Sequence, residues 1–119
     1  RILSNYGSKK YGRISVIAQS RCKIKKILTA DSSIFFPKPK VDGVILEFTP
    51  HMKYKYVNMD LLEKIVKKSF SQRRKKIKSN LKGYEFAMNA CNIDVNLRAE
   101  DLSVSDYCSI TREIQLNSN

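Results

Sequence analysis

Between Lys64 and Lys82 the chain carries nine basic side chains and no acidic one: Lys64, Lys67, Lys68, Arg73, Arg74, Lys75, Lys76, Lys78 and Lys82. The chemistry open to such a run is the binding of a polyanion. Arginine's planar fork matches phosphate oxygens, and clustered cations gain affinity by releasing counterions condensed on a nucleic acid. Crowded like charges repel, and the compact state bears that cost unless something anionic lies against them. A solvated basic helix face is the plainer alternative. The length of the run, and the apolar Phe70, Ile77 and Leu81 threaded through it, favour contact with nucleic acid.

Other chemistries find less support. Cys22, Cys91 and Cys108 are odd in number and widely spaced, which argues against a disulfide framework and a zinc site and fits a reducing cytoplasm. His51 is the single histidine, so a histidine-dependent metal site or catalytic triad is not expected. The expectation is a cytoplasmic monomer that uses neither metal nor membrane: no apolar run approaches the roughly 20 residues of a spanning helix. The 119 residues suffice for one modest core, and a start at Arg-Ile-Leu-Ser, without Met or a secretory signal, suggests a fragment.

Charge divides the net +12 unevenly. Residues 1–57 carry +9, residues 58–82 carry +7 and residues 83–119 carry −4, so the tail is not the surface that meets a polyanion.

The elements that must position these residues follow from patterning. Ile14, Ile17, Ala18 and Arg21, widened by Val16, predict a helix over 11–22. CKIKKIL (22–28) and GVILEFT (43–49) read as two buried strands able to pair antiparallel across the proline-broken loop 31–42. A lone hairpin is marginal in water, so these strands look like the end of a larger sheet. After a polar linker at 51–57, a helix capped by Asn58 or Asp60 carries an apolar stripe of Leu61, Leu62, Ile65, Val66 and Phe70. Further helices are predicted over 73–81, ending at Gly83, and over 84–91 with Phe86, Met88 and Ala90 inward. A last helix starts from a Ser103–Asp106 capping box, stapled by Leu102 and Tyr107, and buries Tyr107, Cys108, Ile110 and Ile114. Arg98, among the acids of RAEDLS, is expected to form a salt bridge within its turn.

YGRISVIAQ, FFPKPKVDGVILEFTP, FSQRRKKIKSNLK and NIDVNLRAEDLSVSDYC, in this order and spacing, resemble the C-terminal half of the KsgA-type ribosomal RNA adenine dimethyltransferases. The resemblance implies a bacterial enzyme that moves methyl groups from S-adenosylmethionine to two adjacent adenosines near the 3′ end of small-subunit (16S) rRNA during subunit maturation. Its partner would be the 30S subunit. It implies an α+β fragment: residues 1–50 are the last helix and last two strands of a Rossmann-like methyltransferase sheet, 51–57 a linker, and 58–119 a small, roughly four-helix rRNA-binding domain. The family's glycine-rich cofactor loop and Asn-Leu-Pro-Tyr motif have no match here, so the fragment alone is expected to bind no cofactor and to be inactive.

The resemblance also assigns residues. Phe35, two before the first proline of the loop, would stack on a flipped-out adenine, with the core or loop-anchoring role of a phenylalanine as the alternative. Lys38 and Lys40 would reach substrate phosphate. Gln72-Arg73-Arg74-Lys75 is the matched basic motif, and Lys67, Lys68, Lys76 and Lys78 enlarge its field. Phe36 and Gly43 depart from the residues usual in the family. Two other readings stay open. One is a free-standing helical nucleic-acid-binding module, which would not need the FFPKPK loop. The other is a resistance-type 23S rRNA methyltransferase, which the RRK and RAEDLS segments resemble less.

Overall fold

A computed structural model of the chain describes residues 2–30 and 43–117. The loop that carries Phe35, Lys38 and Lys40 lies outside the described residues. Among the described residues, five α-helices and two antiparallel strands make an α+β arrangement. Helix α1 (Arg13–Arg21) starts at Gly12, whose N–H donates to Ser15 Oγ at 3.1 Å, and runs without a loop into extended Cys22. Strand β1 (Cys22–Ala30) pairs antiparallel with β2 (Gly43–Pro50), from Cys22 opposite Pro50 to Ala30 opposite Gly43, with one register shift between Lys26 and Leu28.

Two expectations for this segment change. The buried face of α1 is Ser15, Val16 and Ser20, whereas Ile14 is 59% exposed. Apolar residues occupy more than one face of this helix, and spacing could not say which of them meets the core. Among the strand residues whose burial is described, none is buried, and Phe48 is 49% exposed where it lines an open groove with Ile14, Ile17 and Ala18 of α1.

Beyond the sheet, His51 N–H donates to Arg21 O and the His51 ring lies 3.1 Å from Gln19 O. Tyr54 and Val57 enter the core, so 51–57 packs against the protein and is more than a polar spacer. Helix α2 (Met59–Ser69) is capped by Asn58, whose Oδ1 accepts from the N–H groups of Asp60 and Leu61 at 3.0 and 3.2 Å. That satisfies two of the donors a helix start leaves free. Leu62, Ile65 and Val66 are buried, Leu61 and Phe70 half-buried, and Lys64, Lys67 and Lys68 exposed, as the stripe predicts.

Downstream, the helix predicted over 73–81 shrinks to a single turn, α3 (Ile77–Asn80). The reason is a competing partner. A helix begun at Arg73 would bond the N–H groups of Ile77 and Lys78 to the carbonyls of Arg73 and Arg74. Instead Ile77 N–H donates to Leu97 O at 2.6 Å and Lys78 N–H to Val95 O at 3.2 Å, and Lys76 bridges Arg98 antiparallel. Gly83 takes φ +98° after α3, the left-handed geometry expected of it.

Helix α4 (Glu85–Ala90) buries Ala87 and Met88, but Phe86 is 43% exposed and Ala90 also faces out. The helix is too short to bury both sides. It closes on left-handed Asn92 (φ 56°): Asn92 N–H donates to Asn89 O and Ile93 N–H to Met88 O, the paired bonds of a Schellman ending. A 3₁₀ turn (Ala99–Asp101) then leads to α5 (Val104–Asn117). The Ser103–Asp106 capping box forms in both directions, at 3.0 and 3.1 Å. Tyr107, Cys108, Ile110 and Ile114 are buried as expected. One core joins Tyr11 and Val16 to Leu62, Ile65, Ile77, Leu81, Met88, Leu102 and Ile110.

Candidate nucleic-acid interface

The basic cluster is displayed on a turn. Residues 71–75 follow α2 without becoming helical, and Arg74, Lys75, Lys76 and Lys78 are all exposed. Two things shape the turn. Asn80 Nδ2 donates to the carbonyls of Ser69 and Gln72, each at 2.9 Å, tying the end of α2 to the turn from inside. The bonds of 77 and 78 to residues 95–97 fix its other end. Lys67 and Lys68 belong to the neighbouring exposed face of α2, and Lys68 Nζ lies 5.3 Å from the centre of the Tyr84 ring. Lys67 and Lys68 thus extend the basic surface of the turn along the helix.

Arg73 does not behave like its neighbours. Its Nη2 donates to Lys9 O at 3.3 Å and to Tyr11 O, and pairs with Glu100 Oε2 at 3.5 Å. Its guanidinium lies 5.5 Å from the centre of the Phe70 ring. The side chain read as a phosphate ligand is tied to the protein through one nitrogen, Nη2, which serves two backbone carbonyls and a carboxylate. The side chain stays 43% exposed, and the rest of the fork is not committed to these bonds. Arg98 is corrected too. Its backbone N–H donates to Asp101 Oδ2 at 3.1 Å while its side chain is exposed, and the ion pair to this acidic turn is made by Arg73.

Sequence reasoning missed Lys9, Lys10 and Arg13. All three are exposed, and Lys10 and Arg13 line one cleft with Phe70 and Arg73. The available signal was the lack of any Asp or Glu before Asp31. A larger groove of about 780 Å³ runs between α1 and α2, with Ile14, Ile17, Ala18 and Phe48 among its apolar lining and Arg13, Lys64 and Lys67 among its polar residues. Across it Arg21 pairs with Glu63 at 2.7 Å; both are about half exposed, so the pair contributes about 0–1 kcal/mol.

The described residues do not fit S-adenosylmethionine. Among the described residues the one strand-to-helix connection, from β2 to α2 through 51–58, contains no glycine to cradle a cofactor. Among the described residues no group of three or more His, Cys, Asp or Glu side chains could hold a metal ion, and no helix is long and apolar enough to cross a membrane. The three cysteines are unpaired, with Cys108 buried and Cys22 and Cys91 partly so. Burial pushes the Cys108 thiol up to about 12, and it also raises the Cys91 thiol, with smaller help from Glu113 and Asp106.

A two-stranded antiparallel sheet is thus followed by helices, and the turn after α2 displays the basic cluster. Residues 1–116 match the family model described as ribosomal RNA adenine dimethylase. The chain belongs to that family. It is 43% identical over 115 residues to the ribosomal RNA small subunit methyltransferase A of Francisella tularensis subsp. novicida, covering 92% of this chain and 44% of that protein. It is 36% identical over 118 residues to the protein of the same name from Saccharophagus degradans, covering 96% and 44%. The chain therefore spans less than half the length of these relatives. Among solved structures, a dimethyladenosine transferase from Plasmodium falciparum superposes with a TM-score of 0.77 at 21% identity, over 99% of this chain and 54% of that one. The 23S rRNA methyltransferase ErmE gives 0.60 at 14% identity, over 88% and 46%.

Proposed function

We propose that this chain is the C-terminal part of an S-adenosylmethionine-dependent small-subunit rRNA adenine dimethyltransferase, and that its share of the work is to hold ribosomal RNA. The whole enzyme would dimethylate two adjacent adenosines near the 3′ end of the small-subunit rRNA as the 30S subunit matures in the cytoplasm, acting as a monomer. The observation that carries the reading is the exposed turn of Arg74, Lys75, Lys76 and Lys78, flanked by Lys67 and Lys68, in a chain of this family. These side chains would grip phosphates and read no bases, so specificity would rest on the shape of the folded RNA.

In this reading 1–50 completes a Rossmann-like sheet whose other strands lie in the rest of the enzyme. Residues 51–57 join it to the four helices of 58–119, the rRNA-binding part. Phe35 stacks on the extruded adenine, offsetting part of the few kcal/mol lost on unstacking, and Lys38 and Lys40 steady the adjoining backbone. Cofactor and methyl transfer belong to the rest of the enzyme.

Binding to unmethylated 30S subunits tests the reading. The protein should bind them with steep salt dependence, and the Arg74→Ala/Lys75→Ala variant should lower the salt slope by about 1 to 2. Calorimetry should show no S-adenosylmethionine binding to this chain. In the enzyme, Phe35→Ala should slow methylation and leave subunit binding intact. A salt slope indifferent to Arg74 and Lys75 would refute the interface.

A further inference from the structure

We infer that Arg73 is a positioning residue, a latch that docks the segment Lys9–Arg13 beside the basic turn so that Lys9, Lys10 and Arg13 continue one RNA-backbone surface. The inference rests on the RNA-binding reading above and extends it to an arm that is distant in sequence.

The latch is built from both sides. Arg73 Nη2 donates to the carbonyls of Lys9 and Tyr11, and its Nη1 lies 3.8 Å from where a Cβ on Gly12 would stand. Tyr11 is buried with its ring 6.1 Å from that of Phe70, edge-on, and Phe70 also underlies the Arg73 guanidinium. Glu100 holds the same segment a second time: its carbonyl accepts from Gly7 N–H at 2.6 Å while its carboxylate pairs with Arg73. With the backbone of 7–12 bound in this way, the side chains of Lys9, Lys10 and Arg13 are left in solvent.

Their placement makes the surface continuous. Arg13 lines two hollows, the cleft it shares with Lys10, Phe70 and Arg73, and the α1–α2 groove it shares with Lys64 and Lys67. It therefore bridges the N-terminal arm to the exposed face of α2. Two acids beside this surface are engaged, Glu100 by Arg73 and Glu63 by Arg21. Asp60 is the other acid that lines the α1–α2 groove, where it faces Arg13, Lys64 and Lys67 among the lining residues. A polyanion laid over the turn would meet further uncompensated cations along this arm, and each phosphate contact releases counterions.

Arginine suits the latch because its planar guanidinium lies over the Phe70 ring while Nη2 reaches two carbonyls and a carboxylate; a lysine ammonium carries the charge without that planar face. The test is anisotropy of a fluorescein-labelled small-subunit rRNA hairpin across a salt series. Lys9→Ala/Lys10→Ala/Arg13→Ala should lower the salt slope by about 2 to 3 with the melting temperature unchanged. Arg73→Ala should weaken binding and raise hydrogen exchange at residues 9–12, and Arg73→Lys should fail to restore either, although it restores the charge.

If the triple variant leaves the slope unchanged while Arg74→Ala/Lys75→Ala lowers it, the extended surface is wrong and the RNA-binding reading survives. If neither moves the slope, that reading fails as well. Full rescue by Arg73→Lys would make Arg73 an ordinary charge contact and overturn the latch. Should Arg73→Ala unfold the protein, the exposed triple variant and Arg73→Lys still decide the matter.

Discussion

Asn80 reaches back with one amide nitrogen to the carbonyls of Ser69 and Gln72, 2.9 Å from each, and so joins the last turn of α2 to the loop that displays the basic cluster. The Gln72 carbonyl also accepts from Lys75 N–H at 3.1 Å, whereas the Ser69 carbonyl, at the end of α2, is one of those a helix terminus leaves free. Asn80 is 7% exposed, so water cannot readily take its place. Asn80→Ala is expected to lower unfolding free energy by about 2–3 kcal/mol, the cost of leaving a buried acceptor unpaired together with a lost bond. Urea denaturation monitored by circular dichroism checks this; a loss below about 0.5 kcal/mol would mean that the turn holds without it.

Arg73, Arg74 and Lys75 are consecutive but should separate cleanly. Arg73→Ala removes bonds to two carbonyls and a carboxylate, and with the side chain 43% exposed the expected loss is about 1–2 kcal/mol. Arg74→Ala and Lys78→Ala remove exposed cations from a crowded field, so the melting temperature should hold or rise slightly. Thermal melts of the three single variants, run side by side, would expose any failure of this division.

Two buried tyrosines offer opposite outcomes from the same substitution. Tyr107 Oη donates to Ala99 O, whereas Tyr11 Oη finds no hydrogen-bond partner among the described residues. Tyr107→Phe should cost about 1–2 kcal/mol, and Tyr11→Phe should be neutral or stabilising by up to about 1 kcal/mol, since it removes an unpaired buried hydroxyl. A clear loss from Tyr11→Phe, read from denaturant midpoints, would reveal a partner such as an internal water.

Alkaline pH should unfold the protein in part through Cys108. Its folded thiol titrates at about 12, pushed up by burial, against roughly 8.5 in an unfolded chain. Above the lower value the unfolded state has released a proton that the native state keeps, so stability falls as pH rises, by up to about 1.4 kcal/mol per pH unit until the folded thiol titrates. Below about pH 8 no such dependence is expected. Burial raises Tyr107 and Tyr11 in the same sense above pH 10. Unfolding free energy of Cys108→Ala between pH 8 and pH 10 should show a flatter slope than the parent, on the basis of these reference values.

Local chemistry in the sequence determined the elements whose causes are local. The Asn58 cap, the apolar stripe of α2, the Ser103–Asp106 box and the left-handed Gly83 each depend on residues a few positions apart, and each stands where patterning puts it. The two strands also form where their β-rich runs lie, although their pairing joins residues 13 to 28 positions apart. The basic run was legible as well, because charge needs no fold to be counted. Tertiary structure decided what depended on distant partners. Residues 73–76 are a displayed turn because Leu97 and Val95 claim the N–H groups that a helix there would use. Arg73 left the set of free cations because Lys9, Tyr11 and Glu100, 64, 62 and 27 positions away, converge on its guanidinium. A given N–H serves one set of acceptors at a time, and only the folded chain determines whether the acceptors of Arg73 Nη2 are its own carbonyls or the phosphates of RNA.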